Sequence, residues 1–101
     1  MAWTIEFDEA ALRDLGRLDR SIQREIKSYL ERRIATANDP KTFGHALGHN
    51  LSGLWRYRVR DYRIVCNLEA HRCTVLVVAV GHRSKVMIRH NPIRTNKSQF
   101  T

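Results

Sequence analysis

Arginine occupies every second position in one short stretch of the chain. Arg56, Arg58 and Arg60 alternate with the apolar residues Tyr57 and Val59. A guanidinium group presents a planar fork of N–H donors that can contact two phosphate oxygens at once. With two arginines farther along, these residues form a candidate phosphate-binding set of Arg56, Arg58, Arg60, Arg63 and Arg83. The alternative interpretation is a solvated basic surface with no specific ligand.

The distribution of charge along the chain favours a phosphate ligand. The formal net charge is +8 at pH 7. Residues 1–53 contain eight Lys/Arg and eight Asp/Glu, whereas residues 54–101 contain ten Lys/Arg against only Asp61 and Glu69. The whole positive excess therefore lies in the second half. This asymmetry indicates a polyanionic partner, and nucleic acid is the leading class.

Two residue pairs have spacings that occur in metal or redox sites. His45 and His49 are four residues apart, but the neighbouring glycines disfavour a helix and no third ligand follows at a suitable spacing. A hairpin would place Cys66 and Cys73 opposite each other on neighbouring strands. Besides a redox switch or half a metal site, they can be two small buried side chains in a reducing compartment, which we favour. We predict no metal site and no cofactor.

Periodicity predicts the elements that position these side chains. Residues 3–7 alternate as a half-buried strand, after which Asp8 is the predicted N-cap of a first helix. Asp19 or Ser21 can cap a second helix, which ends before Pro40. The apolar stripes of the two helices are Ala11, Leu12, Leu15 and Leu18, then Ile22, Ile26, Tyr29, Leu30 and Ile34.

Three strands follow a predicted loop over residues 41–53. The alternating and apolar patterns place them at residues 54–60, 62–68 and 73–80. The predicted fold is α+β: an N-terminal strand, a helical hairpin and a three-stranded antiparallel meander, with the helices packed on one face of the sheet.

A tight turn at positions 60 and 61 fixes the pairing of the first two strands of the meander. Arg58 then lies opposite Arg63, and Tyr57 lies opposite Ile64. The apolar side must be covered by the helices. We therefore expect the arginines at 56, 58, 60 and 63 to converge on the uncovered face.

Two segments resemble the signature of RelE-type toxins of type II toxin–antitoxin systems. They are residues 51–64, Leu-Ser-Gly-Leu-Trp-Arg-Tyr-Arg-Val-Arg-Asp-Tyr-Arg-Ile, and residues 80–86, Val-Gly-His-Arg-Ser-Lys-Val. The opening residues 5–11 are also similar to the start of that family. The resemblance implies a toxin domain over residues 1–87, and we expect the remainder, 88–101, to be a flexible tail.

The resemblance implies ribosome-dependent cleavage of mRNA in the ribosomal A site by a metal-independent endoribonuclease. The ribose 2′-hydroxyl attacks the adjacent phosphate and leaves a cyclic phosphate end. By the same resemblance, Arg63 stabilises the transition state, Arg83 acts at the leaving oxygen, and Arg56 and Arg58 bind the phosphate and RNA backbone. The predicted RNA-binding residues further include Arg60, Lys85 and Met87.

Two positions bear on the catalytic chemistry. Met87 stands where the family has a tyrosine that contacts the substrate base; methionine can cover a base but cannot donate a hydrogen bond. Arginine is a poor general base because its pKa exceeds about 12. His82, beside Arg83, is our candidate for that role, and a simple loop position is the alternative.

Relatives with other activities leave two further functions open. One is a non-enzymatic inhibitor of DNA gyrase, and the other is a catalytically weakened toxin that acts mainly by binding its antitoxin. The resemblance implies a cognate antitoxin and a heteromeric toxin–antitoxin complex. The N-terminus shows no secretory signal and no apolar run reaches membrane-span length. We therefore expect a cytoplasmic protein without membrane contact.

Overall fold

The fold is a mixed five-stranded sheet that carries two helices on one face. The computed structural model describes residues 2–82, so Arg83, Lys85, Met87 and the predicted tail over 88–101 lie outside the described residues. The strand order is β1-β5-β4-β3-β2. In chain order, the elements are β1 (Thr4–Phe7), α1 (Glu9–Gly16), α2 (Arg20–Tyr29), β2 (His45–Ala46), β3 (Leu54–Val59), β4 (Tyr62–Glu69) and β5 (Thr74–His82).

The first helix begins as the sequence predicts and buries less than predicted. The Asp8 carboxylate accepts a hydrogen bond from the Ala11 N–H at 2.9 Å, which caps α1. Ala11 and Leu15, four residues apart, point into the core. The predicted burial of Leu12 is wrong, since this side chain is 52% exposed. One residue step turns a helix by about 100°, so Leu12 lies beside the buried stripe and not within it.

A π-helical turn, Leu30–Ile34, continues directly from the end of α2. The two together span the second helix predicted from the sequence. Its buried residues Ile26, Leu30 and Ile34 confirm the core of the predicted stripe. Asp19 stands at the N-cap but its side chain makes no capping hydrogen bond. At the other end, the Trp3 N–H donates to the Ala35 carbonyl at 2.7 Å and ties the helix to the start of β1. No helix within residues 2–82 has the length and apolar character needed to cross a membrane.

The sheet confirms the antiparallel meander β3-β4-β5 and adds two features. β1 pairs in parallel with β5, and the short strand β2 pairs with β3 inside the segment predicted as loop. A bulge at Val65/Cys66 leaves Val65 opposite Ala79 and Cys66 opposite Val77. A two-residue strand between glycines offers too short an alternation to be recognised in the sequence.

The two cysteines are not opposite each other, contrary to the hairpin prediction. The β4–β5 connection contains a 3₁₀ turn, Ala70–Arg72, and Cys73 precedes β5 with a positive φ of 47°. This register places Val77 opposite Cys66. Both thiols are free, and the complete burial of Cys66 raises its pKa.

Apolar side chains cover both faces of the sheet, although unequally. The main core lies between the helices and the face that carries Tyr57, Ile64 and Val77. On the opposite face, a second cluster forms around Leu54, Val65, Val78 and Ala79. Leu47 and Leu51, from the segment before β3, pack on this second cluster. The face predicted to be uncovered is therefore covered by Leu47 and Leu51 near the start of β3. The arginines of this face lie toward the end of β3 and on the adjacent part of β4.

Candidate nucleic-acid interface

Three arginines share the sheet face that points away from the helices. Arg58 lies directly opposite Arg63 in the β3–β4 ladder, and Arg56 precedes Arg58 by two residues on the same face. The side chain of Arg58 is exposed, and those of Arg56 and Arg63 are half-buried. We call this surface, defined by Arg56, Arg58 and Arg63, the arginine face.

The side chains behind the arginine face hold it in position. Tyr57 and Ile64 are paired in the ladder next to Arg58 and Arg63, and both are buried under the helices. The Tyr57 hydroxyl donates a hydrogen bond to the Pro40 carbonyl at 2.7 Å. Burial raises the pKa of Tyr57 well above its usual range. The buried, uncharged Tyr57 thus holds β3 in place on the helix side of the sheet. It thereby sets the position of Arg56 and Arg58 on the opposite face.

Three other arginines of the described chain, Arg17, Arg60 and Arg72, have carboxylate partners, but those of the arginine face do not. Arg72 pairs with Glu69 and with Glu6, and Arg17 lies 3.9 Å from Asp14. Within residues 2–82, no carboxylate forms an ion pair with Arg56, Arg58 or Arg63. Among the described residues, these three guanidiniums make one hydrogen bond: Arg58 Nε–H donates to the Arg60 carbonyl oxygen at 3.2 Å. The arginine face is thus a concentration of unneutralised positive charge.

Arg60 does not join the arginine face, contrary to the prediction from alternation. β3 ends at Val59, and Arg60 occupies the turn with a positive φ of 54°. Alternation between faces stops where the extended backbone stops. The Arg60 side chain turns toward α2, where its Nε contacts both carboxylate oxygens of Glu25 at 2.7 and 2.8 Å.

His82 lies on the helix side of the sheet. It is opposite Tyr62 in the β4–β5 ladder, and the two rings meet edge to face with centroids 5.8 Å apart. Tyr62 packs against the main core, whereas the adjacent Arg63 points to the other face. The structure therefore does not bring His82 together with Arg58 and Arg63.

His45 lies at the arginine face. From its spacing in the sequence, His45 is a candidate only for a metal-binding pair with His49. β2 pairs it directly with Arg56. Its place on that face is supported by Leu47, two residues on, which packs on the second apolar cluster beside Leu54. The sequence signal was the alternation of positions 45–47 next to strand β3, which is too short to predict pairing.

The described residues group no metal ligands, and two of their basic side chains lie over aromatic rings. No group of three or more His, Cys, Asp or Glu side chains within residues 2–82 is placed to hold a metal ion. At the β2 edge of the sheet, the Lys41 ammonium lies 5.4 Å from the Trp55 ring centre, and the Arg33 guanidinium lies 5.5 Å from that of Phe43.

Comparison with known proteins agrees with this architecture. The sequence model of a protein family, described as the ParE toxin of type II toxin–antitoxin system, parDE, matches residues 5–87. Among curated proteins, none matches the chain in sequence. A chain of the RelBE2 toxin–antitoxin complex from Mycobacterium tuberculosis is 25% identical, with a TM-score of 0.76 over 84% of this chain and 95% of that one.

Two E. coli structures share the fold at lower identity. The isolated RelE toxin of E. coli is 19% identical, with a TM-score of 0.64 over 99% of this chain and 100% of that one. A chain of the intact E. coli RelBE toxin–antitoxin complex is 20% identical, with a TM-score of 0.62 over 80% of this chain and 96% of that one.

Proposed function

This chain belongs to the ParE toxin family of type II toxin–antitoxin systems, within the RelE/ParE superfamily, and we propose that it is an endoribonuclease that cleaves mRNA in the ribosomal A site. The observation that carries the proposal is the Arg58–Arg63 pair. These two residues face each other across a two-stranded ladder without an acidic partner among the described residues.

Like charges directly opposite each other destabilise a sheet, by up to about 1 kcal/mol. A bound phosphate between Arg58 and Arg63 offsets this repulsion, because each guanidinium can donate two hydrogen bonds to phosphate oxygens. Arg56, on the same strand and face, extends the surface along a nucleic-acid backbone. A polyanion is therefore the ligand class that fits the arginine face best.

The arginine face suits RNA cleavage by internal transfer. The ribose 2′-oxygen attacks the neighbouring phosphorus, the bond from phosphorus to the 5′-oxygen breaks, and a 2′,3′-cyclic phosphate and a 5′-hydroxyl result. Negative charge builds on the phosphoryl oxygens in the transition state, where fixed guanidiniums stabilise it. We assign this stabilisation to Arg63 and Arg58, and contact with the flanking backbone to Arg56.

Four further assignments come from the family resemblance. Arg83 is proposed to act at the leaving 5′-oxygen, and Lys85 and Met87 to contact the RNA; all three lie outside the described residues. His82 is the general base predicted from the sequence, but its position on the helix side of the sheet separates it from Arg58 and Arg63. The ribosome would hold the RNA in line for attack, an advantage worth several kcal/mol.

Primer extension on an mRNA in a purified translation system tests the proposal. We expect discrete cuts at A-site codons from the wild type and their loss in Arg63→Ala. Arg24→Ala is the matched control, because it removes the same charge from an exposed position of α2. Equal loss of cutting in both variants would point to net charge alone, and no cutting by folded wild type would overturn the proposal.

Inhibition of DNA gyrase without nuclease activity is the second candidate function. The match of residues 5–87 to the ParE family supports it, because the family resemblance extends to toxins that poison gyrase. In that case the arginine face serves as a docking surface. A DNA supercoiling assay distinguishes the two functions: inhibition by a protein that leaves ribosome-bound mRNA intact would favour the gyrase target.

We also propose that a cognate antitoxin neutralises this toxin in a stable heteromeric complex. The structural neighbours include toxin–antitoxin complexes from Mycobacterium tuberculosis and E. coli. An extended acidic segment of the partner would complement the arginine face. Hydrogen exchange with and without the antitoxin tests this, since unchanged protection over residues 56–63 would contradict coverage of that face.

A further inference from the structure

We propose that His45 is the general base of the cleavage reaction and accepts the proton of the attacking ribose 2′-hydroxyl. This inference rests on the proposed nuclease function and adds a catalytic residue to it. Its starting point is the pairing of His45 with Arg56 across strands β2 and β3.

The ladder determines where the imidazole of His45 can act. Side chains directly opposite each other in an antiparallel pair have Cβ atoms about 4.5–5.5 Å apart, and diagonal neighbours lie about 7–8 Å apart. His45 is thus a direct neighbour of Arg56 and a diagonal neighbour of Arg58. Because His45 is exposed and shares their face, its ring and both guanidiniums can reach one bound phosphate and the ribose attached to it.

The chemistry requires a base that the arginines cannot supply, because a guanidinium stays protonated. An imidazole can supply this base, because its neutral form carries one unprotonated ring nitrogen that accepts a proton. In the proposed step, a ring nitrogen of His45 takes the 2′-hydroxyl proton as the 2′-oxygen bonds to phosphorus. The 5′-oxygen leaves with the electron pair of its bond to phosphorus and takes a proton from solvent water, and His45 later returns its proton to solvent.

The acidic side chains that the strands place on this face lie far from the arginines. Glu6 and Glu69 share the face, but both pair with Arg72 at its other end. Glu69 follows Arg63 by six positions along β4, which corresponds to roughly 20 Å of extended chain. The charged groups that face His45 across the adjacent strands are therefore Arg56 and Arg58 of β3, with Arg63 beyond them on β4.

The remaining described histidines are less well placed. His82 meets Tyr62 on the helix side. His71 lies in the β4–β5 turn, at the Glu69 end of the sheet. His49 follows β2 in a 3₁₀ turn with a positive φ of 56°, outside the β2–β3 ladder. His49 and His71 supply matched controls, because each substitution removes one imidazole from an exposed site, whereas His82→Gln tests the competing assignment of the general base.

The test compares wild type with His45→Gln, His49→Gln and His82→Gln in a single-turnover mRNA cleavage assay on ribosomes, run across a pH series. We expect His45→Gln to slow cleavage about 100-fold or more, because general-base catalysis contributes typically 10²–10⁴-fold. The rise of the wild-type rate with pH through the histidine range should be absent in His45→Gln. Added imidazole should restore part of the rate in His45→Ala, which a merely structural role would not produce.

The outcomes separate this inference from the function on which it rests. Cleavage at the wild-type rate and pH dependence by His45→Gln would overturn the role of His45 and leave the nuclease standing. The same result with a slow His82→Gln would move the general base to His82. No cleavage by wild type would overturn both proposals together.

Discussion

The Tyr57 hydroxyl and the Pro40 carbonyl are joined by a hydrogen bond of 2.7 Å inside the protein. Tyr57 is fully buried in the middle of β3, and Pro40 begins the short 3₁₀ turn that follows the helical hairpin. The bond therefore joins the chain leaving the helices to the strand that carries Arg56 and Arg58. Its strength bears directly on the stability of the arginine face.

Tyr57→Phe should lower the free energy of unfolding by about 1–3 kcal/mol, because it leaves a buried carbonyl without its donor. Urea unfolding followed by circular dichroism measures the change. Tyr62→Phe is the matched control: Tyr62 is half-buried and its described contact is made by the ring. Equal losses in the two variants would show that the bond to Pro40 has no special weight.

Alkaline pH should destabilise the protein through two buried groups. Burial raises the pKa of Cys66 from 9.0 and that of Tyr57 from 10.0. A raised pKa in the folded state means that the unfolded chain loses these protons first. The stabilising contribution is complete below about pH 9 and is lost as pH rises above the unfolded pKa values, with a slope of up to about 1.4 kcal/mol per pH unit for each group.

Urea unfolding between pH 8 and 11 measures this slope. Tyr57→Phe should remove the part that begins near pH 10, and Cys66→Ala the part that begins near pH 9. The comparison uses the slopes and not the absolute stabilities, since Cys66→Ala also leaves a cavity. A wild type whose stability is flat to pH 11 would contradict the prediction.

Gly44→Ala should destabilise the protein by about 1–3 kcal/mol through overpacking. A Cβ at this position would lie 2.8 Å from Tyr57 Cε1 and 3.0 Å from the Arg56 carbonyl oxygen. The clash also pushes β2 away from β3, so mRNA cleavage should fall with stability. Gly48→Ala, where a Cβ meets nothing within 4 Å, should change neither quantity. Equal effects of both substitutions would rule out this steric explanation.

The sequence was sufficient for the hairpin that builds the arginine face. Strict alternation and a two-residue connection predicted Arg58 opposite Arg63, and the ladder confirms this pair. The prediction was wrong for Arg60, because a turn residue does not follow strand alternation. It also missed β2, whose pairing with β3 is a long-range contact that leaves almost no local pattern. The neighbourhood of His45 could therefore be seen only in the folded structure.

Arg58→Glu should separate stability from activity. Replacing one member of the Arg58–Arg63 pair by an opposite charge converts a repulsive cross-strand contact into an attractive one. We expect unfolding to become more difficult by about 0.2–1 kcal/mol, as measured in urea. Cleavage of ribosome-bound mRNA should be lost, because a carboxylate repels the phosphate. Retained cleavage would contradict a phosphate site at this pair.

Arg60→Gly tests whether charge or position decides the role of an arginine in this hairpin. Glycine adopts the positive φ of 54° at this turn without strain, which compensates for the loss of the exposed ion pair to Glu25, worth about 0–1 kcal/mol. We expect stability within about 1 kcal/mol of wild type and mRNA cleavage within a few-fold. Arg63→Ala removes the same charge three residues away and should abolish cleavage. If Arg60→Gly is as inactive as Arg63→Ala while remaining folded, then Arg60 leaves Glu25 to contact RNA, and the arginine face extends into the turn.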